Sequence, residues 1–148
     1  MKYLFSSLIF LFIIVSTSFA ADKDWISSME EAVEKAKTEK KLILVNFTGS
    51  DWCPPCIAIH EAVFSKKEFI EQVKKQFILC VIDSPKKDNE LAEKNKPLLN
   101  KYKITGFPTL LLLDEVGTEF SRFNPSPFET VKKMKEQLNY QIRRKDMF

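Results

Sequence analysis

Hydrophobic residues share one helical face from residue 28 onward and then give way to a continuous apolar run. The segment SMEEAVEKAK, residues 28–37, carries the apolar face: Met29, Ala32, Val33 and Ala36. Ser28 and Glu31 form a capping box ahead of this face, so we expect a helix that ends near Lys40. The next run, KLILVNF at 41–47, is too continuously apolar for a half-exposed strand, which predicts a central strand buried on both faces.

A second helix and a second buried strand follow. The segment CPPCIAIHEAVF, residues 53–64, opens with two prolines, which the first turn of a helix tolerates because its N–H groups have no internal partners. Ser65 and Glu68 form another capping box, so we expect the helix to restart or bend there. The apolar run FILCVID, residues 77–83, predicts a buried strand.

The last third of the chain predicts helices at both ends of a strand pair. Residues 84–105 are charged and interrupted by Pro97, which indicates two short helices or one helix with a kinked end. The segment GFPTLLLLD, residues 106–114, predicts a strand entered through a proline, and residues 119–124 alternate as an edge strand does. A final helix is expected from residue 126 or 127 to about Arg143.

The first 20 residues have the character of a secretory signal peptide. Lys2 precedes an apolar run from Leu4 to Val15, and small residues flank a cleavage site after Ala20. The apolar run is shorter than the roughly 20 residues that a spanning helix needs, which disfavours an uncleaved membrane anchor. We therefore expect residues 1–20 to be removed and residues 21–148 to form the domain of an exported bacterial protein in the periplasm.

Composition indicates one domain with a small charge. Without its first 20 residues the chain of 148 keeps 128, a usual length for one compact domain, which we expect to be monomeric. The net charge of +3 is too small to indicate a nucleic-acid partner, and the lysines of KKEFIEQVKK alternate with apolar residues as on a solvated helix face. Three cysteines do not make a disulfide-dense scaffold, so the core must stabilise the fold.

The chemistry of the chain centres on two cysteines in the segment DWCPPC. Cys53 and Cys56 lie at the start of the second helix, where unpaired N–H groups and the helix dipole lower the pKa of a thiol. The pair could be a structural disulfide, part of a metal site or a redox couple. With His60 it falls short of the four ligands of a structural zinc site, so we expect no metal. Cys80 lies in a buried strand, where a lone thiol usually acts as a small hydrophobe.

The segment WCPPC after a buried strand, with GFPT starting 53 residues after Cys53, resembles the thioredoxin superfamily across nearly the whole exported chain. More specifically, the chain resembles exported thioredoxin-like proteins such as the C-terminal domain of DsbD and the small periplasmic reductase DsbH. These proteins share a DWCxxC loop and a leading helix rich in Glu, Ala and Lys. The resemblance implies an α/β thioredoxin fold, with a central mixed β-sheet flanked by helices and an extra N-terminal helix.

The resemblance also implies roles for individual residues. Cys53 would be the nucleophile and Cys56 the resolving thiol, and the two would cycle through a Cys53–Cys56 disulfide. The residues expected to bind substrate or shape the site around them are Trp52, Pro54, Pro55, Phe107 and Pro108. Pro108 would follow a cis peptide bond, and Trp52 would either shield the site or serve as a core aromatic.

Two departures from thioredoxin bear on this chemistry. Thioredoxins carry an aspartate near the position of Asn46, and an asparagine cannot take the proton of the resolving thiol; Glu34, Asp51 or water could replace it. Pro54 stands where thioredoxin has glycine, so an N–H that could stabilise the Cys53 thiolate is missing. A less stabilised thiolate favours the disulfide and a lower reduction potential.

These observations predict a periplasmic reductase of protein disulfides that uses a CPPC dithiol/disulfide couple and no cofactor. Its electrons would come from a membrane donor of the DsbD or CcdA type. A disulfide oxidase or isomerase remains an alternative within the same chemistry. A different class, a non-catalytic binding or metal-carrier module with a structural disulfide, remains a further alternative.

Overall fold

The structure, a computed structural model, describes residues 23–147. The expected signal peptide at residues 1–20 therefore lies outside the described residues. Within residues 23–147, no helix is both long enough and apolar enough to cross a membrane.

Five strands form one mixed sheet in the order β1-β3-β2-β4-β5. Their bounds are Trp25–Ile26 for β1, Leu42–Thr48 for β2, Phe77–Asp83 for β3, Thr109–Leu113 for β4 and Glu119–Phe123 for β5. The β2 strand is central, because it pairs in parallel with β3 and antiparallel with β4. The predictions of a buried central strand, a second buried strand and an edge strand at β5 are confirmed.

Helices cover both faces of this sheet. Their bounds are Met29–Glu39 for α1, Pro54–Ile59 for α2, Lys67–Val73 for α3, Asn89–Lys101 for α4 and Val131–Lys145 for α5, with a π-helical segment at His60–Phe64. Alternate residues of β2 point to opposite faces: Leu44 packs in the cluster that includes α3 and α5 residues, whereas Ile43 and Val45 pack with α1 and α4. The α2 helix starts at the carboxyl end of β2, which places the two cysteines at this edge of the sheet.

The first helix follows the prediction closely, but a short strand precedes it. The Ser28 side chain accepts a hydrogen bond from the Glu31 N–H at 3.2 Å, so it caps α1 as expected. The two-residue strand β1, which pairs with Leu79 and Cys80, was not predicted. Two residues are too few to show the alternation by which a strand is identified in sequence.

The helix after α2 changes its geometry where a second capping box was expected. The N–H of Ser65 donates to the carbonyl of His60 five residues earlier, which is the bonding of a π-helical turn. The α3 helix is preceded by Lys66, which makes no side-chain cap, so the prediction of a capping box at Ser65 and Glu68 is wrong. The helix does restart there, as expected, because Lys66 has an extended backbone between the π-helical segment and α3.

Two boundaries in the last third also differ from the predictions. The α4 helix runs continuously through Pro97, so the alternative of two short helices is wrong. The final helix begins at Val131 rather than at residue 126 or 127, because the N–H of Phe128 donates to the carbonyl of Pro125 in a turn. Thr130 caps the helix, accepting a hydrogen bond from the Lys133 N–H at 3.2 Å.

Candidate active site

Cys53 and Cys56 are joined by a disulfide at the start of α2. Cys53 is the N-cap of the helix; its N–H donates to the carbonyl of Gly49 at 3.0 Å. Because Pro54 and Pro55 have no N–H, the first donor after the cap is the N–H of Cys56. The two cysteines are only 4% and 2% exposed, respectively, so the disulfide is reached along a narrow part of its surface.

Trp52 lies at the surface beside the disulfide and is 36% exposed, so its interpretation as a core aromatic is wrong. The indole Nε1 donates to the carbonyl of Ser84 at 2.8 Å. The ring of Phe107 meets it edge-on, with 5.7 Å between centroids. A Cβ atom on Gly49 would lie 2.5 Å from the indole Cε2, so only glycine allows the ring this position without displacement.

The segment before β4 lies against the same indole. The peptide bond between Phe107 and Pro108 is cis, and Pro108 is buried. Thr109 begins β4 and pairs with Phe47 near the end of β2, so the segment is next to the loop that carries the cysteines. Trp52 and Phe107 are thus brought together from positions far apart in the sequence.

A loop that the sequence analysis did not single out completes this face. Residues 84–88, here called the lysine loop, follow the carboxyl end of β3, and Asp51 anchors them: its carboxylate accepts hydrogen bonds from the N–H groups of Lys86 at 2.9 Å and Lys87 at 2.8 Å. The hydrogen bond from the Lys86 N–H, followed by that from Lys87, lowers the pKa of Asp51. The parallel pairing of β2 and β3 puts their carboxyl ends at one edge of the sheet, which brings this loop next to the cysteine-bearing loop.

A second contact joins the cysteine-bearing loop to the end of β3. The Asp83 carboxylate accepts hydrogen bonds from the Ser50 N–H at 2.9 Å and from the Ser50 hydroxyl at 2.5 Å. Three consecutive residues, Ser50 to Trp52, therefore each bond to the segment that ends β3 and starts the lysine loop.

A cavity of about 490 Å³ opens on the Cys56 side of the disulfide. Asn46 lines it, is 5% exposed and has a side-chain oxygen without a hydrogen-bond partner. Of the groups considered as substitutes for the thioredoxin aspartate, Asp51 is bonded to the lysine loop and Glu34 lies on the exposed side of α1. The carboxylates that do line the cavity are those of Glu61 and Asp83, which the sequence analysis missed.

The two other candidates, Cys80 and His60, form no metal site with the disulfide cysteines in the described part of the chain. Cys80 is fully buried, and burial, followed by the charges of Glu30 and Glu31, raises the pKa of its thiol to about 12. Its packing agrees with the interpretation as a small hydrophobe. His60 is exposed and lines the Cys56 cavity. Among residues 23–147 there is no group of three or more side chains that could hold a metal ion.

Comparison with known proteins places this site in a recognised family. A profile of the thioredoxin-like domain matches residues 29–141. The chain is 35% identical to "Disulfide bond reductase DsbH" of Chlamydia pneumoniae over 111 residues, which are 73% of this chain and 66% of that protein. It is 32% identical over 110 residues to "Thioredoxin-related protein DsbJ" of the same organism, covering 72% of this chain and 31% of that protein. The matches thus span less than two thirds of either relative.

The fold is also that of a solved structure. The structure titled "DsbH Oxidoreductase" matches with a TM-score of 0.71 and 30% identity, over 80% of this chain and 83% of that chain. The expected fold, a thioredoxin fold with a mixed sheet flanked by helices, is confirmed.

Proposed function

Because the chain belongs to the family of thioredoxin-like domains, we propose that it is a thiol-disulfide oxidoreductase that reduces protein disulfides. The observation that carries the proposal is the Cys53–Cys56 disulfide at the start of α2, beside an exposed Trp52. A structural disulfide needs no accessible face, whereas a redox couple must meet another disulfide directly. Trp52, Pro54, Pro55 and Phe107 form the surface that a substrate chain would contact, and the buried Pro108 shapes the segment behind that surface.

The reaction is an exchange of disulfides in two steps. The Cys53 thiolate attacks one sulfur of the substrate disulfide; the substrate S–S bond breaks, a mixed disulfide with Cys53 forms, and the departing substrate thiolate takes up a proton. The Cys56 thiolate then attacks the Cys53 sulfur and releases the second substrate thiolate, which is also protonated. Two electrons and two protons pass to the substrate, and the protein is left with the Cys53–Cys56 disulfide.

The second step requires that Cys56 lose its proton inside the fold. Asn46 cannot accept it, and Asp51 is engaged by the lysine loop. The cavity next to Cys56 offers Glu61 and Asp83 as acceptors, directly or through water. We assign this role to Glu61 because the Asp83 carboxylate already accepts two hydrogen bonds from Ser50.

The direction of the reaction follows from how well the thiolate form is stabilised. The first turn of α2 lacks two N–H groups, and no histidine stands between the cysteines, so the Cys53 thiolate has few donors. Poor stabilisation of the reduced form lowers the potential toward the value of about −270 mV found for thioredoxin and away from about −120 mV for DsbA. The relative named a disulfide bond reductase supports the same direction.

The compartment and the electron donor complete the proposal. The signal-like residues 1–20 support export to the periplasm, where an oxidising environment would keep the couple oxidised unless it is re-reduced. We propose that a membrane protein of the DsbD or CcdA type supplies the electrons through a dithiol of its own. Exchange with that dithiol reverses the two steps above and returns Cys53 and Cys56 to thiols.

The test is reduction of insulin with dithiothreitol as the electron source, together with trapping of clients. The wild type should accelerate insulin precipitation, Cys56→Ser should accumulate mixed disulfides with client proteins, and Cys53→Ser should do neither. Cys80→Ser is the matched control, because it removes the third thiol away from the site and should leave the rate unchanged. Mixed disulfides formed by Cys53→Ser and not by Cys56→Ser would reverse the assigned roles, and no insulin reduction by the wild type would contradict the proposal.

A further inference from the structure

The lysine loop is fixed to the cysteine-bearing loop by its backbone. The N–H groups of Lys86 and Lys87 both donate to the Asp51 carboxylate, and the carbonyl of Ser84 accepts from the Trp52 indole at 2.8 Å. The N–H of Ser84 also donates to the carbonyl of Thr48 at 2.9 Å. Four hydrogen bonds therefore fix the backbone of this short loop. They also fix the points from which its two lysine side chains extend.

One of the two lysines has a defined position relative to the site. The Lys86 ammonium lies over the Trp52 ring, with its Nζ 4.7 Å from the ring centroid, in the geometry of a cation–π contact. Trp52 directly precedes Cys53 and remains partly exposed. A chain that brings its disulfide to Cys53 and lies along the indole therefore meets this ammonium.

The acidic groups nearby do not pair with the Lys86 ammonium. Asp51 accepts from loop N–H groups, Asp83 accepts from Ser50, and Asp88 caps α4 by accepting from the Leu91 N–H at 3.0 Å. Across the part of the chain that the structure describes, the salt bridges do not include Lys86. Its positive charge thus stays available to a group brought by another molecule.

We propose that Lys86, on a loop whose backbone Asp51 anchors, is a specificity residue that favours substrate disulfides flanked by acidic side chains. A carboxylate two or three residues from the substrate cysteine can pair with the ammonium while the substrate sulfur reaches Cys53. The inference rests on the proposed reductase function and adds a substrate class to it. Because exposed ion pairs contribute modestly, the preference is expected to be about two- to fivefold in rate.

The experiment uses the reduced protein and three peptide disulfides that differ only beside the central cysteine. Each is a symmetrical dimer of a short peptide whose cysteine is flanked by glutamates, by lysines or by serines. The second-order rate of oxidation of the protein is followed by acid quench and alkylation, a readout that does not depend on Trp52 fluorescence. Variants are Lys86→Gln, Lys86→Arg and, as the matched control from the same loop, Lys87→Gln.

The wild type should react about two- to fivefold faster with the glutamate peptide than with the serine peptide, and more slowly with the lysine peptide. Lys86→Gln should lose this preference while its rate with the serine peptide stays within about 1.5-fold; Lys86→Arg should keep it. Lys87→Gln should behave as the wild type. At about 1 M salt, where the screening length is about 3 Å, the preference should shrink.

Other results would overturn the inference. Equal rates with all three peptides in the wild type would show that charge is not recognised. An equal slowing of all three by Lys86→Gln would show that the lysine only supports Trp52, and an equal effect of Lys87→Gln would point to overall charge. Absence of reaction with every peptide and with insulin would instead contradict the proposed function itself.

Discussion

Replacing Gly49 by alanine should displace the Trp52 ring and weaken its contacts with Ser84 and Phe107. The new Cβ would lie 2.5 Å from the indole Cε2, 2.6 Å from Nε1 and 2.8 Å from Cζ2. Carbon atoms in contact lie about 3.5–4.0 Å apart, so the ring or the loop must move by roughly 1 Å. The close contact involves the edge that carries Nε1, whose hydrogen bond to Ser84 is 2.8 Å long.

The cost follows from the contacts that depend on the ring. A net hydrogen bond contributes about 0.5–1.5 kcal/mol; an aromatic pair, here with Phe107, contributes about 0.5–1.5 kcal/mol. Replacing glycine by alanine lowers the conformational entropy of the unfolded chain, and this offsets about 0.4–1 kcal/mol of the lost unfolding free energy. Because Trp52 is 36% exposed, the lower halves of these ranges apply, and Gly49→Ala should destabilise the protein by about 1 kcal/mol.

Urea unfolding followed by circular dichroism measures this loss, and native-state fluorescence reports the displaced indole. Gly106→Ala is the matched control, because a Cβ there meets nothing within 4 Å; its unfolding free energy should equal that of wild type or exceed it by up to about 1 kcal/mol, since the unfolded chain is restricted in the same way. The reasoning is refuted if Gly49→Ala matches the control in both stability and fluorescence, since the indole would then not need the space that glycine leaves.

Three further predictions concern Asp51, Cys80 and Glu61. Asp51→Asn should lower the urea midpoint at neutral pH, because it weakens the anchor of the lysine loop. The fold lowers the pKa of Asp51, so the stabilisation by its carboxylate is present above the unfolded-state pKa and is lost as pH falls through the folded-state pKa. The difference in urea midpoint between variant and wild type should therefore close in acid. Cys80, with a pKa of about 12, should resist iodoacetamide at pH 8 in the native protein and react once urea unfolds it. Glu61→Gln should slow the release step, so that a mixed disulfide with a peptide persists longer in quenched samples than with wild type. Glu71→Gln, on the exposed side of α3, should leave that lifetime unchanged.

The sequence was sufficient for those parts of the fold where one pattern acts over many residues. The runs at β2 and β3 are continuous because both faces of these strands are covered, and the Ser28 cap acts within a single turn. The start of α5 was misplaced because a turn at Pro125 competes with the helical pattern over the same residues. The π turn after α2 leaves the apolar spacing nearly helical, so periodicity alone could not reveal it.

The candidate site likewise combines residues that a short motif predicts with contacts that only the folded chain reveals. The cysteines, Trp52 and the segment before β4 carry short motifs and could be named from the sequence. The lysine loop could not, because its link to the site is one carboxylate that bonds N–H groups 35 and 36 residues away. The unpaired oxygen of Asn46 and the cavity beside Cys56 depend likewise on how separate elements meet, which no local pattern records.

The central claim is that Cys53 and Cys56 form a reducing couple, and its reduction potential tests this most directly. The protein is equilibrated in dithiothreitol and glutathione buffers of known potential, and the reduced fraction is read by alkylation of Cys53. The poorly stabilised thiolate predicts a potential of about −230 to −280 mV, near that of thioredoxin. A value above about −180 mV, the level of protein disulfide isomerase, would contradict the reductase account and favour an oxidase or isomerase.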